Sequence, residues 1–200
     1  MDVVILGSQP AYAGPGRACS GYLVRKGKSR LLLDIGTGVL SNFLRWADPA
    51  ELDGLVITHL HPDHFLDIYP LRFYLQLECE RKEPLPVFAP QGAEDFITQL
   101  VGPDSRADFS RLFAFHTVAD GAREAIGPFE VLFRLMKHSV PTFGVVVDGK
   151  RLVYTSDCDF DNALLALAKG ARLLLSEATL QEPIFPGHLD GEQAGQVAKA

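Results

Sequence analysis

Apolar residues in the first third of the chain come in short runs broken by Gly and Pro, a pattern of strands and tight turns. Strands are predicted near 2–6, 21–25, 31–34 and 54–58. Between the last two, Val39, Leu40, Phe43, Leu44 and Trp46 recur at near-helical spacing from Gly38 to Ala47, and Asp48-Pro49 stops them. A longer helix is predicted over Phe65 to Arg81, with Leu66, Tyr69, Phe73 and Leu77 along one side. Pro70 either kinks it or marks its true start. Pro84-Leu85-Pro86 ends it, Val87-Phe88-Ala89 begins a strand, and 91–101 reads as a short helix. Strands then follow near 111–118, 128–136, 143–147 and 151–155, with a helix at 160–169, a strand at 171–176 and a helix from about Gly191. Asp148-Gly149 carries a type I′ hairpin signal between Val145-Val146-Val147 and Leu152-Val153-Tyr154. Strands in two groups, each followed by helices, predict one α/β domain over 1–200: two facing sheets flanked by helices, a four-layer α/β/β/α sandwich.

One polar run interrupts this pattern at the end of a predicted strand. Gly54-Leu55-Val56-Ile57-Thr58 leads into His59-Leu60-His61-Pro62-Asp63-His64. Residues two apart on an extended chain face the same way, so His59 and His61 can hold one cation together. Pro62 ends the strand and suits the first position of a helix, from which Asp63 and His64 can turn toward a second cation. Three imidazoles and a carboxylate in six positions exceed the needs of a strand-to-helix turn. The run is read as a metal site.

Composition narrows the field without choosing a function. With 47% hydrophobic and 22% charged residues the chain reads as a soluble globular protein. No apolar run approaches the roughly 20 residues of a membrane helix. Asp2 and the strand-like Val3-Val4-Ile5-Leu6 do not read as a signal peptide. Cys19, Cys79 and Cys158 are odd in number and far apart, which points to a reducing compartment, with the cytoplasm as the expected location. The net charge of −6 weighs against a large nucleic-acid-binding face. The one dense basic segment, Arg25 to Arg30, contains Gly27 and reads as a solvated hairpin turn.

Further ligand types follow apolar runs elsewhere: Asp34 after Leu31-Leu32-Leu33, His138 after Phe133 to Lys137, Asp157 after Leu152 to Ser156, and Glu177 after Leu173-Leu174-Leu175-Ser176. His188 lies in Pro186-Gly187-His188-Leu189. In this order the residues resemble the metallo-β-lactamase-fold superfamily of metal hydrolases, over essentially the whole chain. Ser176-Glu177-Ala178-Thr179 with Gly187-His188 is similar to motifs of its phosphodiesterase branch, which includes ribonuclease Z and compact cyclic-nucleotide phosphodiesterases. Gly7-Ser8, Ser20-Gly21-Tyr22-Leu23 and Asp34-Ile35-Gly36-Thr37-Gly38-Val39-Leu40 resemble the same branch. The likeness is greatest to the compact cyclic-nucleotide enzymes, because only a hairpin separates His138 from Asp157 and leaves no room for a tRNA-binding arm.

The resemblance implies that His59, His61 and His138 hold one metal, Asp63 and His64 a second, and that Asp157 bridges them. Zn²⁺ suits this nitrogen and oxygen set, two per site, and Mn²⁺ is compatible with it. Two cations about 3.5–4 Å apart can share a hydroxide, acidify it and stabilise the attacking and leaving oxygens of a phosphodiester. Asp63 would orient the nucleophile or accept its proton. His188, held by Glu177, would meet the phosphate and protonate the leaving oxygen, and Asp34 would steady a histidine from behind. A homodimer is common among the relatives. They carry one more His on a strand after the helix near Gly191. The sequence ends inside that helix, so the expectation is a C-terminally incomplete domain without its last strand and helix.

The expected activity is hydrolysis of a small phosphodiester such as a cyclic nucleotide. Alternatives are tRNA 3′ processing, against which the acidic balance weighs, and hydrolysis of a thioester, lactone or lactam, whose enzymes share only the first motif. A non-catalytic metal-binding module ranks last. Cys158, beside Asp157, is read as a small buried residue and His116 as structural; Phe65, Tyr69, Phe73 and Tyr74 are read as helix packing.

Overall fold

Leu31, Leu32 and Leu33 are all buried, as are Leu55 and Val56, although such strands show no apolar–polar alternation. Parallel pairing explains this, since a parallel sheet is covered on both faces. The computed structural model describes residues 1–79, 81–182 and 185–199, and the chain divides into two units, Met1–Thr117 and Val118–Ala200.

In the first unit the elements run β1 (Asp2–Gly7), β2 (Gly21–Lys26), β3 (Ser29–Leu33), α1 (Val39–Phe43), a 3₁₀ turn (Pro49–Glu51), β4 (Gly54–Val56), α2 (Pro62–Phe65), α3 (Ile68–Leu77), β5 (Leu85–Ala89), α4 (Ala93–Thr98), α5 (Pro103–Leu112) and β6 (Phe113–Thr117). Among the described residues these strands form a six-stranded sheet in chain order. β1, β2 and β3 pair antiparallel, and β3 through β6 pair parallel. The C-terminal ends of β3 to β6 therefore share one sheet edge, where open α/β sheets place their ligands. Beneath the helices, Leu32, Leu55, Phe43, Phe65, Leu71, Ile97 and Phe109 belong to one apolar cluster. Each such side chain stabilises the fold by about 2 kcal/mol.

The second unit holds β7 (Arg123–Ile126), β8 (Phe129–Met136), β9 (Thr142–Val147), β10 (Leu152–Tyr154), α6 (Asn162–Ala168), β11 (Leu174–Leu175) and α7 (Gly191–Lys199). Its five-stranded sheet runs β11-β10-β9-β8-β7, antiparallel except for the parallel β10–β11 pair. Asp161 caps α6, its carboxylate accepting from the Leu164 amide at 2.8 Å. Leu164 and Leu167 of α6 and Val197 of α7 pack with Met136, Val146 and Val153.

Two sheets with helices agree with the expected α/β class, but several boundaries move. The predicted helix over 65–81 is two: α2 and then α3, with Pro70 in the first turn of α3, where a missing N–H costs nothing. Phe73 is 52% exposed beneath Arg72 and is not core packing. The strand predicted from 111 starts at Phe113, because α5 occupies the preceding residues. The 171–176 strand shrinks to Leu174–Leu175. In the hairpin after Val147 the Arg151 amide donates to the Asp148 carbonyl. Its central residues are thus Gly149 and Lys150, both with positive φ, one position later than predicted. Around Gly27 the charges pair locally: Arg25 with Asp2 at 2.6 Å and Arg30 with Glu51 at 3.2 Å. Among the described residues no helix is long and apolar enough to cross a membrane.

Candidate metal centre

In the first unit, β4 ends at Val56 and the chain stays extended beyond it, the Ile57 amide donating to the Phe88 carbonyl at 2.9 Å. His59 and His61 thus lie past the ladder, His61 in extended conformation (φ −78°, ψ 139°) immediately before α2. Pro62 opens α2, and Asp63 and His64 sit within it. The three rings gather closely: His59 is 4.8 Å from His61 and 4.0 Å from His64, centroid to centroid.

A buried carboxylate sets the orientation of two of them. Asp34 follows β3 in the left-handed region (φ 58°), which Asp tolerates better than most residues. Its Oδ1 accepts from the Thr58 amide at 2.8 Å, and its Oδ2 from the Thr58 hydroxyl at 2.9 Å and His64 Nδ1 at 2.8 Å. A carboxylate only accepts, so His64 Nδ1 carries the proton and Nε2 the lone pair. Since the Thr58 hydroxyl gives its proton to Asp34, His59 Nδ1 donates to Thr58 Oγ1 at 3.1 Å. His59 Nε2 then also carries a lone pair. Asp63 Oδ2 accepts from the Ala11 amide at 3.0 Å and lies 3.7 Å from His64 Nε2. Gly36 is required here, because any Cβ would overlap the Asp63 carbonyl oxygen. The neighbouring Asp67 carboxylate accepts from the Leu40 amide at 2.8 Å at the start of α1, and burial pushes its pKa up.

The second unit repeats this logic. His138 lies two residues past β8, and its Nδ1 donates to the Gly187 carbonyl at 2.7 Å, leaving the lone pair on Nε2. Gly187 has φ 98°, and a Cβ there would come within 3.3 Å of His138 Nδ1. After β10, Ser156 turns the chain through the left-handed region (φ 54°) and presents the buried Asp157. Glu177 works with both of its oxygens: Oε1 accepts from the Cys158 amide at 2.6 Å, and Oε2 lies 3.1 Å from His188 Nδ1. Asp157, Glu177 and His188 each offer one ligand atom, all within 4.8 Å of one another. The His188 ring stands edge-on to His138 at 5.0 Å and to Phe185 at 5.8 Å.

Charge pairing braces these strand ends. Lys137 Nζ lies 2.8 Å from Asp159 Oδ2, tying the residue before His138 to the loop that carries Asp157. The Lys137 hydrogen bond holds the Asp159 carboxyl below its usual range. Cys158 is fully buried, as expected, and burial first, then the charges of Glu177 and Asp157, push its thiol far up. Its sulfur is not in the ligand group that gathers Asp157, Glu177 and His188. What remains is imidazole and carboxylate, a His/Asp group able to hold a metal ion. His116, with no motif around it, stacks on Phe88 at 4.8 Å.

Sequence reading names Asp34 behind a histidine and Glu177 behind His188, but misses the Thr58 hydroxyl at His59, the Gly187 carbonyl at His138 and the Ala11 amide at Asp63. Thr58 adjoins His59 and could have been suspected. The Gly187 carbonyl and the Ala11 amide carry no side-chain signature at all.

The sequence matches the Beta-lactamase superfamily domain over residues 29–200. It is 29% identical to the probable metallo-hydrolase YhfI of Bacillus subtilis strain 168, over 100% of this chain and 82% of that protein. The crystal structure of YhfI, a metallo-beta-lactamase fold protein, superposes with a TM-score of 0.85 at 25% identity, over 98% of this chain and 79% of that one. An uncharacterized protein of Mycobacterium tuberculosis H37Rv is 31% identical over 98% of this chain and 75% of its own length. The short form of human tRNase Z superposes with a TM-score of 0.80 at 25% identity, over 100% of this chain and 88% of that one. The chain belongs to the beta-lactamase superfamily, and is a metallo-hydrolase of the metallo-β-lactamase fold.

Proposed function

We propose that this protein is a phosphodiesterase acting on small phosphodiesters such as cyclic nucleotides. In this reading His59, His61, His138 and Asp157, with Asp63 and His64, would be the residues that hold divalent cations. Zn²⁺ fits the nitrogen and carboxylate donors, and Mn²⁺ is compatible with them. Bound cations would supply Lewis acidity toward a phosphoryl oxygen and acidify water near neutral pH.

The observation that carries the reading is the Glu177–His188 pair. Glu177 Oε2 lies 3.1 Å from His188 Nδ1, in the same small cluster as Asp157. A carboxylate behind an imidazole fixes its ring and stabilises its protonated form. His188 so held can donate its Nε2 proton to the departing alkoxide oxygen of a phosphodiester. Asp63, held by the Ala11 amide, would orient the attacking water or accept its proton. The fold likeness to an enzyme named tRNase Z supports phosphodiester chemistry. The net charge of −6 argues for a small substrate over a long RNA.

The test is hydrolysis of bis-p-nitrophenyl phosphate and of 3′,5′-cyclic AMP by the whole chain loaded with Zn²⁺ or Mn²⁺. Turnover that is lost on chelation and in His61→Ala is expected. Stoichiometric metal without phosphodiester cleavage, or cleavage confined to a precursor tRNA or to thioester and lactone substrates, overturns the reading.

A further inference from the structure

The segment between β1 and β2 is a loop with a tight neck. The Ser8 and Gln9 amides both donate to the Ala18 carbonyl, at 3.1 and 3.0 Å. Between them lies Gln9-Pro10-Ala11-Tyr12-Ala13-Gly14-Pro15-Gly16-Arg17, small residues and turn formers around a single aromatic. Surface loops closed at the neck in this way are frequently functional.

At its tip the loop makes a rare turn. The Tyr12 amide donates back to the Pro10 carbonyl at 2.7 Å across Ala11, whose φ is +56°. A three-residue turn with positive φ at its centre is strained for any residue but glycine, and Ala11 is alanine. This turn aims the Ala11 amide at Asp63 Oδ2, 3.0 Å away. The next residue, Tyr12, is 73% exposed, its ring given to solvent rather than to the core. The strained turn thus ties the loop to Asp63, and the residue that follows the tie carries an exposed aromatic ring.

We infer that Tyr12 is a specificity-determining residue, its ring stacking on the planar base of a nucleotide phosphodiester. This rests on the phosphodiesterase reading above and narrows it to substrates that carry a nucleobase. Stacking on an aromatic ring tolerates any base, so the preference would be for a base as such and not for one letter.

The experiment compares 3′,5′-cyclic AMP with the base-free ribose 3′,5′-cyclic phosphate, using the metal-loaded whole chain and ³¹P NMR detection of the phosphomonoester product. The reading is the ratio of the two KM values, in which a general loss of activity cancels. Wild type is expected to favour the base-bearing substrate by about 5- to 100-fold in KM. Tyr12→Ala should bring the ratio near one, while Tyr12→Phe, which keeps the ring, should preserve it. Cleavage of both substrates with equal KM in wild type, or an unchanged ratio in Tyr12→Ala, overturns the inference and leaves phosphodiester hydrolysis standing. Cleavage of neither substrate removes the reading beneath it, and the inference with it.

Discussion

Replacing Asp34 by Asn should cost more metal than stability, and the hydrogen bonds show why. Asp34 Oδ1 accepts from the Thr58 amide, and Oδ2 from the Thr58 hydroxyl and His64 Nδ1, all at full burial. Asn keeps the shape and tolerates the left-handed backbone at φ 58°. Its amide oxygen can still take the Thr58 N–H, but its NH₂ then faces His64 Nδ1 as a donor. His64 must accept there, so its proton moves to Nε2 and the lone pair on that nitrogen is lost. Loss of such an outer partner costs about 10- to 100-fold in metal affinity. The fold loses less, on the order of 1–2 kcal/mol, because the Thr58 amide keeps its acceptor and His64 Nδ1 accepts from the new NH₂.

Asp34→Ala separates the two effects. It leaves the buried Thr58 and His64 donors without their acceptor and forces Ala into a conformation it tolerates poorly, for a loss of about 3–5 kcal/mol. Urea unfolding measures the stability term, Zn²⁺ titration calorimetry the affinity, and ¹⁵N NMR of the imidazoles the proton position on His64. Unchanged Zn²⁺ affinity in Asp34→Asn with the proton still on Nδ1 would refute the reasoning. So would an Asp34→Ala protein destabilised by less than about 1 kcal/mol.

Three further outcomes follow from the same geometry. Glu177→Gln should lower kcat about 10- to 100-fold, because His188 loses the carboxylate that fixes its ring; an unchanged kcat would assign Glu177 to the Cys158 amide alone. Gly36→Ala should cost at least about 3 kcal/mol by urea unfolding, since the added Cβ meets backbone at Asp63 and not a side chain that can swing away. Asp159, held below its usual pKa by Lys137, contributes stability that is present above about pH 4, its unfolded value, and is lost as pH falls through the folded one. Lys137→Met should flatten that acid limb in thermal melts, and an identical limb would show that the pair adds nothing.

Contiguity decided how much of this could be read from the chain. His59 to His64 are adjacent in sequence and need only a strand end and Pro62 to converge, so the ligand types and their turn were legible. The apolar strands were legible because burial on two faces leaves an unbroken run, as at Leu31-Leu32-Leu33. β7 was missed because Arg123 and Glu124 are charged and only Ile126 is buried. α5 was missed for a similar reason, since Phe109 and Leu112 are its buried apolar positions in an otherwise polar segment. The run Leu173-Leu174-Leu175 was over-read: Leu173 is 43% exposed, and pairing with β10 extends over two residues. The link from Asp34 to Thr58, 24 residues apart, depends on the parallel pairing of β3 with β4 and has no local trace.

That pairing also accounts for where the strain sits. Asp34 after β3 and Ser156 after β10 both occupy the left-handed region, at a cost of about 1–3 kcal/mol each. A strand that continued straight would carry its next side chain past the sheet edge. The left-handed step turns the chain, so that Asp34 meets His64 and Asp157 lies beside Glu177 and His188. In each unit the near nitrogen of an imidazole is committed to a fixed oxygen, Asp34, Thr58, Gly187 or Glu177. The tautomers are thus chosen by the fold before any ligand arrives, which is what lowers the reorganisation needed when one does.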